Sequence, residues 1–152
     1  MKVFRLERKK YKIELSGKGA AKSGNRWNSK GTEMIYCSKS RALAMAEVAV
    51  HLPLGLLPND FVMMEFEIPS TIKSKTIAIA KLPRGWNDFP QAPATQKIGG
   101  VFIHDAAVCV LKVPSSVVKG DFNYLINPAH KDFAQIKVIS RSDFPFDRRL
   151  LK

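Results

Sequence analysis

A single carboxylate, Glu47, lies in an otherwise apolar stretch between Arg41 and Leu52. Of the residues three and four positions away from it, only His51 is polar. A buried acid is costly unless a partner satisfies it or it lines a cleft. Burial raises the pKa of a carboxyl group, which is a mark of functional acids. Glu47 is therefore a candidate functional residue. A glutamate on a narrow solvent-facing stripe beside Arg41 or His51 explains the spacing equally well.

Arg26 stands in a segment, Ser23–Gly31, that is rich in small and turn-forming residues. A guanidinium in such a loop suits bidentate binding of phosphate or pyrophosphate, and Gly24 and Gly31 would let the backbone approach the ligand. The segment contains neither a P-loop nor a GxGxxG motif, so it does not predict Walker or Rossmann binding. Taken alone, it also fits a surface loop on which Trp27 stacks.

Two serines, Ser115 and Ser116, follow Pro114 at the end of an apolar run. Loop residues at strand ends often carry function. The GxSxG motif of a nucleophilic serine is absent, so Ser115 is predicted to donate a hydrogen bond rather than to attack a substrate. A serine that caps a turn is the simpler local interpretation.

The elements that must position these residues are short and do not alternate strictly between strand and helix. This pattern predicts an α+β fold, with residues 1–152 forming one domain. The predicted loops are 16–32 and 83–93, and the predicted helices are 41–52 and 95–102. The predicted strands are 2–7, 34–37, 62–68, 76–80, 108–113, 123–126 and 136–140.

Two of these elements carry predictions about burial. The helix at 41–52 is apolar on nearly every face, which is typical of a buried helix; Ser38 or Ser40 would cap it and Pro53 would end it. The strand at 62–68 alternates between apolar residues and two glutamates, which is typical of a half-buried strand.

Composition limits the class of protein. The chain has 152 residues, of which 45% are hydrophobic, and a net charge of +12. Its longest apolar stretch, Ala42–Leu57, is too short and interrupted for a membrane helix, and the N-terminus lacks the pattern of a signal peptide. We therefore expect a cytoplasmic protein without a membrane partner. The positive charge is scattered and is expected to belong mostly to a solvated surface.

The metal-binding residue types are too widely spaced to predict a metal site. Cys37 and Cys109 each lie in an apolar run, and we expect both to be buried and reduced. The three histidines are far apart, and neither a CxxC nor an HExxH motif occurs.

Taken together, several segments resemble the RES (Arg-Glu-Ser) domain family in order and spacing along nearly the whole chain. The segments are Gly24–Gly31, Ile35–Ser38, Ala42–Glu47, Leu82–Pro83 with Trp86, Thr95–Gly99, Val113–Ser116, Asn123–His130 and Phe146–Leu150. Two positions depart from the family pattern. Gly99-Gly100 stands where the family often has Gly-Asp, and Asn25 stands where a small residue is common.

The resemblance assigns the family's Arg, Glu and Ser to Arg26, Glu47 and Ser115, and its site tyrosine to Tyr36. Ser116 is the alternative to Ser115. The resemblance implies an ADP-ribosyltransferase-like fold and a toxin that acts on NAD without a metal. In such a toxin Arg26 would hold the pyrophosphate of NAD, and Tyr36 would stack on nicotinamide or shape its pocket. Ser115 would form a hydrogen bond with a ribose or phosphate oxygen, and Trp27 would support the loop that carries Arg26.

The family resemblance also implies partners. RES toxins pair with a helix-turn-helix antitoxin of the Xre type, so contact with nucleic acid is expected only through the antitoxin. Either a homo-oligomer or a toxin–antitoxin hetero-oligomer is compatible with this arrangement.

The expected reaction is hydrolysis or phosphorolysis of NAD, and three alternatives remain open. The first is transfer of ADP-ribose to a protein. The second, suggested by the charge of +12, is a toxin that binds nucleic acid or cleaves RNA. The third is an inactive binding module, against which the presence of all four site residues argues.

Overall fold

A seven-stranded sheet forms the framework of the computed structural model, which describes residues 1–11, 14–53, 55–56 and 58–151. Along the sheet the strands lie in the order β4-β5-β6-β2-β1-β3-β7. All neighbours are antiparallel except β4 and β5, which are parallel. The strands are β1 (Lys2–Arg8), β2 (Ile35–Ser38), β3 (Phe61–Glu67), β4 (Ser74–Thr76), β5 (Val110–Pro114), β6 (Phe122–Ile126) and β7 (Lys137–Asp143).

Three α-helices accompany the sheet in the described part of the chain: α1 (Lys18–Ser23), α2 (Arg41–Ala49) and α3 (Pro93–Asp105). Short 3₁₀ turns occur at Ile79–Lys81, Phe133–Gln135 and Arg148–Leu151. The predicted α+β class is confirmed. Leu54 and Leu57 of the long apolar stretch, and Lys152 at the end of the predicted domain, lie outside the described residues.

Side chains alternate between the two faces of the sheet, as the twofold period of a strand requires. One face carries the largest apolar cluster, with Val3, Val62 and Val110 at its centre. The opposite face carries two clusters, one under α3 and one under α2. The side chains of the candidate site belong to this second face.

Strand β3 is buried on both faces, so the prediction of a half-buried strand is wrong. It lies between β1 and β7, and Phe144 and Phe146 pack with α2 over its second face. Glu65 is therefore buried, at 6% exposure. The carboxylate pairs with Lys2, 2.7 Å away, and with Arg41.

Helix α2 is shorter and more exposed than predicted. Of its residues only Leu43 and Ala44 are buried, because one face alone rests on the sheet. Ser40 caps the helix by accepting a hydrogen bond from the Leu43 amide, 3.1 Å long. The helix ends at Ala49, with Val50 as its C-cap. The Val50 amide still bonds to the carbonyl four residues earlier, whereas the amides of His51 and Leu52 bond to carbonyls three residues earlier.

Helix α3 is longer than predicted and begins with Pro93 at its first turn, where proline is tolerated. Its two glycines lie inside the helix rather than ending it. A Cβ on Gly99 would lie 1.7 Å from the Trp27 carbonyl oxygen, so the helix backbone touches the 25–28 loop directly. Gly100 faces open space, with nothing within 4 Å.

Two further predictions are wrong in part. The predicted loop 16–32 contains α1, whose backbone bonds form locally without burying a side chain. The predicted strand at 76–80 ends at Thr76, and a 3₁₀ turn follows at Ile79–Lys81. The parallel pairing with β5 stops there because the chain turns away after the Ile77 amide bonds to the Lys112 carbonyl. The other predicted strands are confirmed to within a few residues.

Both cysteines lie in the core, with side chains on the same face of the sheet. Burial raises the pKa of the Cys37 thiol to about 12 and that of the Cys109 thiol to about 11. Among the helices of the described residues, none has the length and apolar character needed to cross a membrane.

Candidate active site

A cleft of about 550 Å³ opens on the face of the sheet that carries α2. Arg26, Trp27, Tyr36 and Glu47 all line it. The fifth predicted residue, Ser115, lies directly behind Glu47 and is 5% exposed. Volumes of this size are typical of small-molecule sites. The structure therefore brings together side chains that are far apart along the chain.

The Glu47 carboxylate is held by one of its two oxygens. Oε1 accepts hydrogen bonds from the Ser115 hydroxyl, 2.7 Å away, and from the Asn123 side-chain amide, 2.6 Å away. For Oε2, the structure gives no hydrogen-bond donor among the described residues. A carboxylate fixed in this way keeps one oxygen for a group that enters the cleft.

Ser115 is oriented by the turn that follows β5. Its hydroxyl oxygen accepts the backbone amides of Val117, at 3.1 Å, and Val118, at 3.0 Å. Its proton therefore points to Glu47. Ser115 is thus the capping serine that the local pattern suggested, and its hydroxyl donates to Glu47. The expected contact with a ribose or phosphate oxygen has no support in this geometry, because Ser115 does not line the cleft.

Asn123 is a site residue that sequence reasoning missed. It lies on β6 opposite Ser38 of β2, and its side-chain oxygen accepts the Ser38 hydroxyl at 2.9 Å. This contact leaves its amide group directed at Glu47. Asparagine is uncommon in strands, so its presence in Phe122–Ile126 was an available but weak signal.

Arg26 connects two loops on one side of the cleft. Its Nη1 donates to the carbonyl oxygens of Trp86, at 2.7 Å, and Asp88, at 3.0 Å. Desolvation lowers the pKa of the guanidinium, and the nearby Glu47 carboxylate opposes this shift. Arg26 lines the same cleft as Glu47.

Tyr36 presents its ring to the cleft while its hydroxyl is engaged by the protein. The hydroxyl donates to Asn28 at 2.7 Å and accepts the Trp27 amide at 3.1 Å. Burial raises the pKa of the phenol, so this group stays protonated. Its free surface is therefore the aromatic ring.

The loop that carries Arg26 is held by hydrogen bonds from two amide side chains that the sequence did not indicate as site residues. Asn28 is fully buried and donates to the carbonyls of Ala20 and Thr32, each at 3.0 Å. Gln96 of α3 donates to the carbonyls of Asn25 and Asn28. Only the fold reveals these contacts, since amide side chains in a polar segment have no distinctive pattern.

Trp27 is buried at 3% exposure and is not the surface residue that its segment alone suggested. Its ring lies 6.4 Å from that of Trp86, in the cluster beneath α3. This packing joins the 25–28 loop to the loop at 86–88, whose carbonyls Arg26 also contacts. Trp27 therefore supports the wall of the cleft.

The cleft thus combines the Glu47 carboxylate, the guanidinium groups of Arg5 and Arg26, and aromatic surface. Such a set can bind a phosphate-bearing ligand and stabilise positive charge that develops beside the carboxylate. Within the described ranges, no group of three or more His, Cys, Asp or Glu side chains could hold a metal ion.

Comparisons with known proteins agree on one family. The sequence model of the RES domain matches residues 2–148. A protein of Sphingobium sp. (strain YBL2) named Prs ADP-ribosylating toxin is 35% identical over 141 residues, which cover 91% of this chain and 88% of that protein. Toxin Res of Photorhabdus laumondii subsp. laumondii is 35% identical over 154 residues, which cover 100% of this chain and 98% of that protein.

A solved structure shares the fold. The crystal structure of the M. tuberculosis MbcT-MbcA toxin-antitoxin complex contains a similar chain, with a TM-score of 0.74 and 17% identity. The similarity covers 95% of this chain and 84% of that one. Since the family model and the relatives both span nearly the full length, this protein belongs to the RES domain family.

Proposed function

We propose that this chain is a bacterial toxin that cleaves NAD at the bond between nicotinamide and ribose and so depletes the cellular pool. The observation that carries the proposal is that Glu47 and Arg26 line one cleft, with Glu47 fixed through a single oxygen. The name of the Sphingobium relative, an ADP-ribosylating toxin, supports chemistry at the same bond.

The reaction breaks the bond from ribose C1′ to the ring nitrogen, and its electron pair leaves with nicotinamide. Positive charge develops on the ribose, as in glycoside hydrolysis. The nicotinamide of NAD is cationic and leaves as a neutral ring, so its departure requires no general acid. One carboxylate is therefore enough for this reaction. Either phosphate then adds at C1′, or water adds there and releases a proton to the solvent.

Glu47 is the residue that we place beside the ribose carbon. Its Oε2, which has no hydrogen-bond donor in the described part of the chain, would face the developing charge, while Ser115 and Asn123 keep Oε1 in place. Fixed charges of this kind stabilise a transition state without reorganising during the reaction. Ser115 then acts through Glu47, because its hydroxyl is already engaged on that carboxylate and on two backbone amides.

Arg26 and Tyr36 would position the substrate. The Arg26 guanidinium lines the cleft together with Glu47, so it would bind the pyrophosphate with the donors that the loop carbonyls leave free. The Tyr36 ring would stack on nicotinamide, since its hydroxyl is held by Asn28 and Trp27. Trp27 would maintain the wall between them.

The partner that we propose is an antitoxin. The structural neighbour was solved as a toxin-antitoxin complex, and several relatives carry the name Toxin Res. We propose a helix-turn-helix antitoxin of the Xre type, through which nucleic acid would be contacted, and a cytoplasmic location where NAD is available.

Glu47→Gln is the decisive test. We expect the purified variant to lose NAD turnover, because a neutral amide cannot stabilise an oxocarbenium-like ribose. NAD loss and released nicotinamide would be followed by chromatography, and thermal melting would check the fold. Glu33→Gln, at an exposed position outside the cleft, is the matched control. Full turnover by Glu47→Gln would refute the proposal.

Transfer of ADP-ribose to a protein is the second candidate, favoured by the name of the Sphingobium relative. Both reactions break the same bond and differ in the nucleophile that adds at C1′. Incubation with NAD in the presence or absence of phosphate and of cell proteins separates them. Free ADP-ribose indicates hydrolysis, a phosphorylated product indicates phosphorolysis, and protein adducts detected by mass spectrometry indicate transfer.

A further inference from the structure

Phe89 is an aromatic side chain in the cleft that the proposed reaction leaves without a role. It is 80% exposed, the highest value among the large hydrophobic residues that the structure describes. It also lines the same cleft as Glu47. An exposed ring at the edge of a binding cleft has a free face on which a planar ligand group can stack.

The loop that carries this ring is held in place by several contacts. Arg26 bonds to the carbonyls of Trp86 and Asp88, the latter immediately before Phe89. The Trp86 ring packs against Trp27, and the Asp88 amide bonds to the Gly85 carbonyl at 3.0 Å. The ring is therefore presented to the cleft by a supported turn.

Glu47, Arg26 and Phe89 line the same cleft. Glu47 is close enough to Arg26 to oppose the fall in its pKa, and Arg26 is bonded to the residue that precedes Phe89. In a dinucleotide, the ribose that loses its base is followed by the pyrophosphate, the second ribose and the second base. With the first ribose placed at Glu47 and the pyrophosphate at Arg26, the second base would lie beside the loop that Arg26 contacts, which carries Phe89.

We infer that Phe89 stacks on the adenine ring and forms a subsite for the adenylate half of the substrate. The inference rests on the proposed function for the identity of the dinucleotide. Asn87 and Gln91 flank Phe89 and also line the cleft, so their amides are available to the edge of the base. Base stacking on an aromatic side chain is a sequence-tolerant contact that depends on the ring face.

The test measures binding of AMP and of nicotinamide mononucleotide separately, by calorimetry, to the full chain. Phe89→Ala is expected to weaken AMP binding about tenfold, which corresponds to the lower part of the range for stacking contacts. Phe89→Trp restores the affinity, and nicotinamide mononucleotide binds the wild type and both variants equally. Ile79→Ala, an exposed hydrophobic position outside the cleft, is the matched control.

Three results would overturn the adenine subsite: no binding of AMP to the wild type, equal AMP affinity for the wild type and Phe89→Ala, or equal weakening of both mononucleotides. Because these measurements need no turnover, they remain decisive if the wild type fails to consume NAD. That failure would refute the proposed cleavage and leave the adenylate subsite to be judged by AMP binding alone.

Discussion

At the scale of single residues, the two oxygens of Glu47 have different surroundings. Oε1 carries both hydrogen bonds, from Ser115 and Asn123, while Oε2 has no donor among the described residues. The serine and the asparagine therefore set the direction of the carboxylate. We regard them as positioning residues of the proposed site.

Ser115→Ala is expected to lower kcat for NAD while leaving KM nearly unchanged. A hydrogen bond to a charged group contributes about 1.5–3 kcal/mol, so the loss in kcat should be about 10- to 100-fold. Steady-state kinetics with NAD would measure kcat and KM separately for the wild type and the variant. Ser116→Ala is the control, because Ser116 lines the cleft without a hydrogen bond to Glu47. A larger loss for Ser116→Ala would assign the family serine to that position.

The sequence predicted four residues that line the cleft, Arg26, Trp27, Tyr36 and Glu47. It did not predict Arg5 and Phe89, which also line the cleft, or the amides that orient the proposed site. The sequence indicates Glu47 and Arg26 as candidate site residues because an acid in an apolar stretch and a cation in a glycine-rich segment are unusual. Asn123 lies 76 residues from Glu47, and only the pairing of β6 with β2 brings it to the site. Such a contact leaves no local pattern in the sequence.

At the scale of elements, the position of the 25–28 loop depends on α3. Gly99 lets the helix backbone touch the Trp27 carbonyl, and Gln96 binds two carbonyls of the same loop. The helix thus acts as the platform on which the Arg26 segment rests. The cleft keeps its shape only if α3 stays packed against the 25–28 loop.

Gly99→Ala and Gly100→Ala are expected to have opposite effects on stability. A methyl group on Gly99 would overlap the Trp27 carbonyl, so this variant should lose stability and bind AMP more weakly. Gly100→Ala places its methyl group in open space within the same helix and should gain about 0.5–1 kcal/mol. Urea unfolding measures both. Equal effects of the two changes would contradict the close approach of α3 to the loop.

A second element-scale prediction concerns pH and Glu65. The ion pair with Lys2, strengthened by Arg41 and by Ser140, lowers the pKa of this carboxyl in the folded state. A carboxyl group whose pKa is lower in the folded than in the unfolded protein stabilises the folded state at pH values above the unfolded-state pKa. This stabilisation is lost as the pH falls through the folded-state pKa. In the Glu65→Gln variant, the free energy of unfolding should therefore fall less steeply as the pH is lowered into the acid range.

Unfolding by urea at several pH values between neutral and acid would measure this effect. Lys2 and Arg41 are both more than half exposed, so solvent screens the pairs and the effect should be modest. Glu67→Gln, on the same strand but exposed, is the control. A pH profile for Glu65→Gln that matches the wild type would show that the carboxylate contributes no net stability.

The sequence predicted most strands because apolar residues there recur in short runs between turns. It failed where tertiary contacts decide the structure. The apolar character of α2 suggested burial on every side, yet only one face meets the sheet. The glutamates of β3 suggested a solvent-exposed face, yet ion pairs allow Glu65 to be covered.

At the scale of the whole molecule, the positive charge lies mainly outside the cleft. The chain has 25 lysines and arginines, and only Arg5 and Arg26 line the cleft in the part of the chain that the structure describes. Arg5 is paired with Glu7 at 2.6 Å. The net charge of +12 is therefore a property of the outer surface, where like charges repel one another.

Added salt should stabilise the isolated protein. Screening acts over about 10 Å at 0.1 M salt and weakens the repulsion among the surface cations. We expect the Tm to rise between 0.05 and 0.5 M NaCl at neutral pH, by about 2–4 °C for each kcal/mol gained. Replacing NaCl with sucrose controls for non-ionic stabilisation. A Tm that falls with salt would show that the surface ion pairs outweigh the net repulsion.

The burial of both thiols has a practical consequence for spectroscopy. Neither Cys37 nor Cys109 presents a reactive thiolate at neutral pH, because each side chain is in the core and its pKa is raised. A cysteine introduced on the surface would then be the preferred target of a maleimide dye or spin label. The native chain can serve directly as the background for distance measurements between the rims of the cleft.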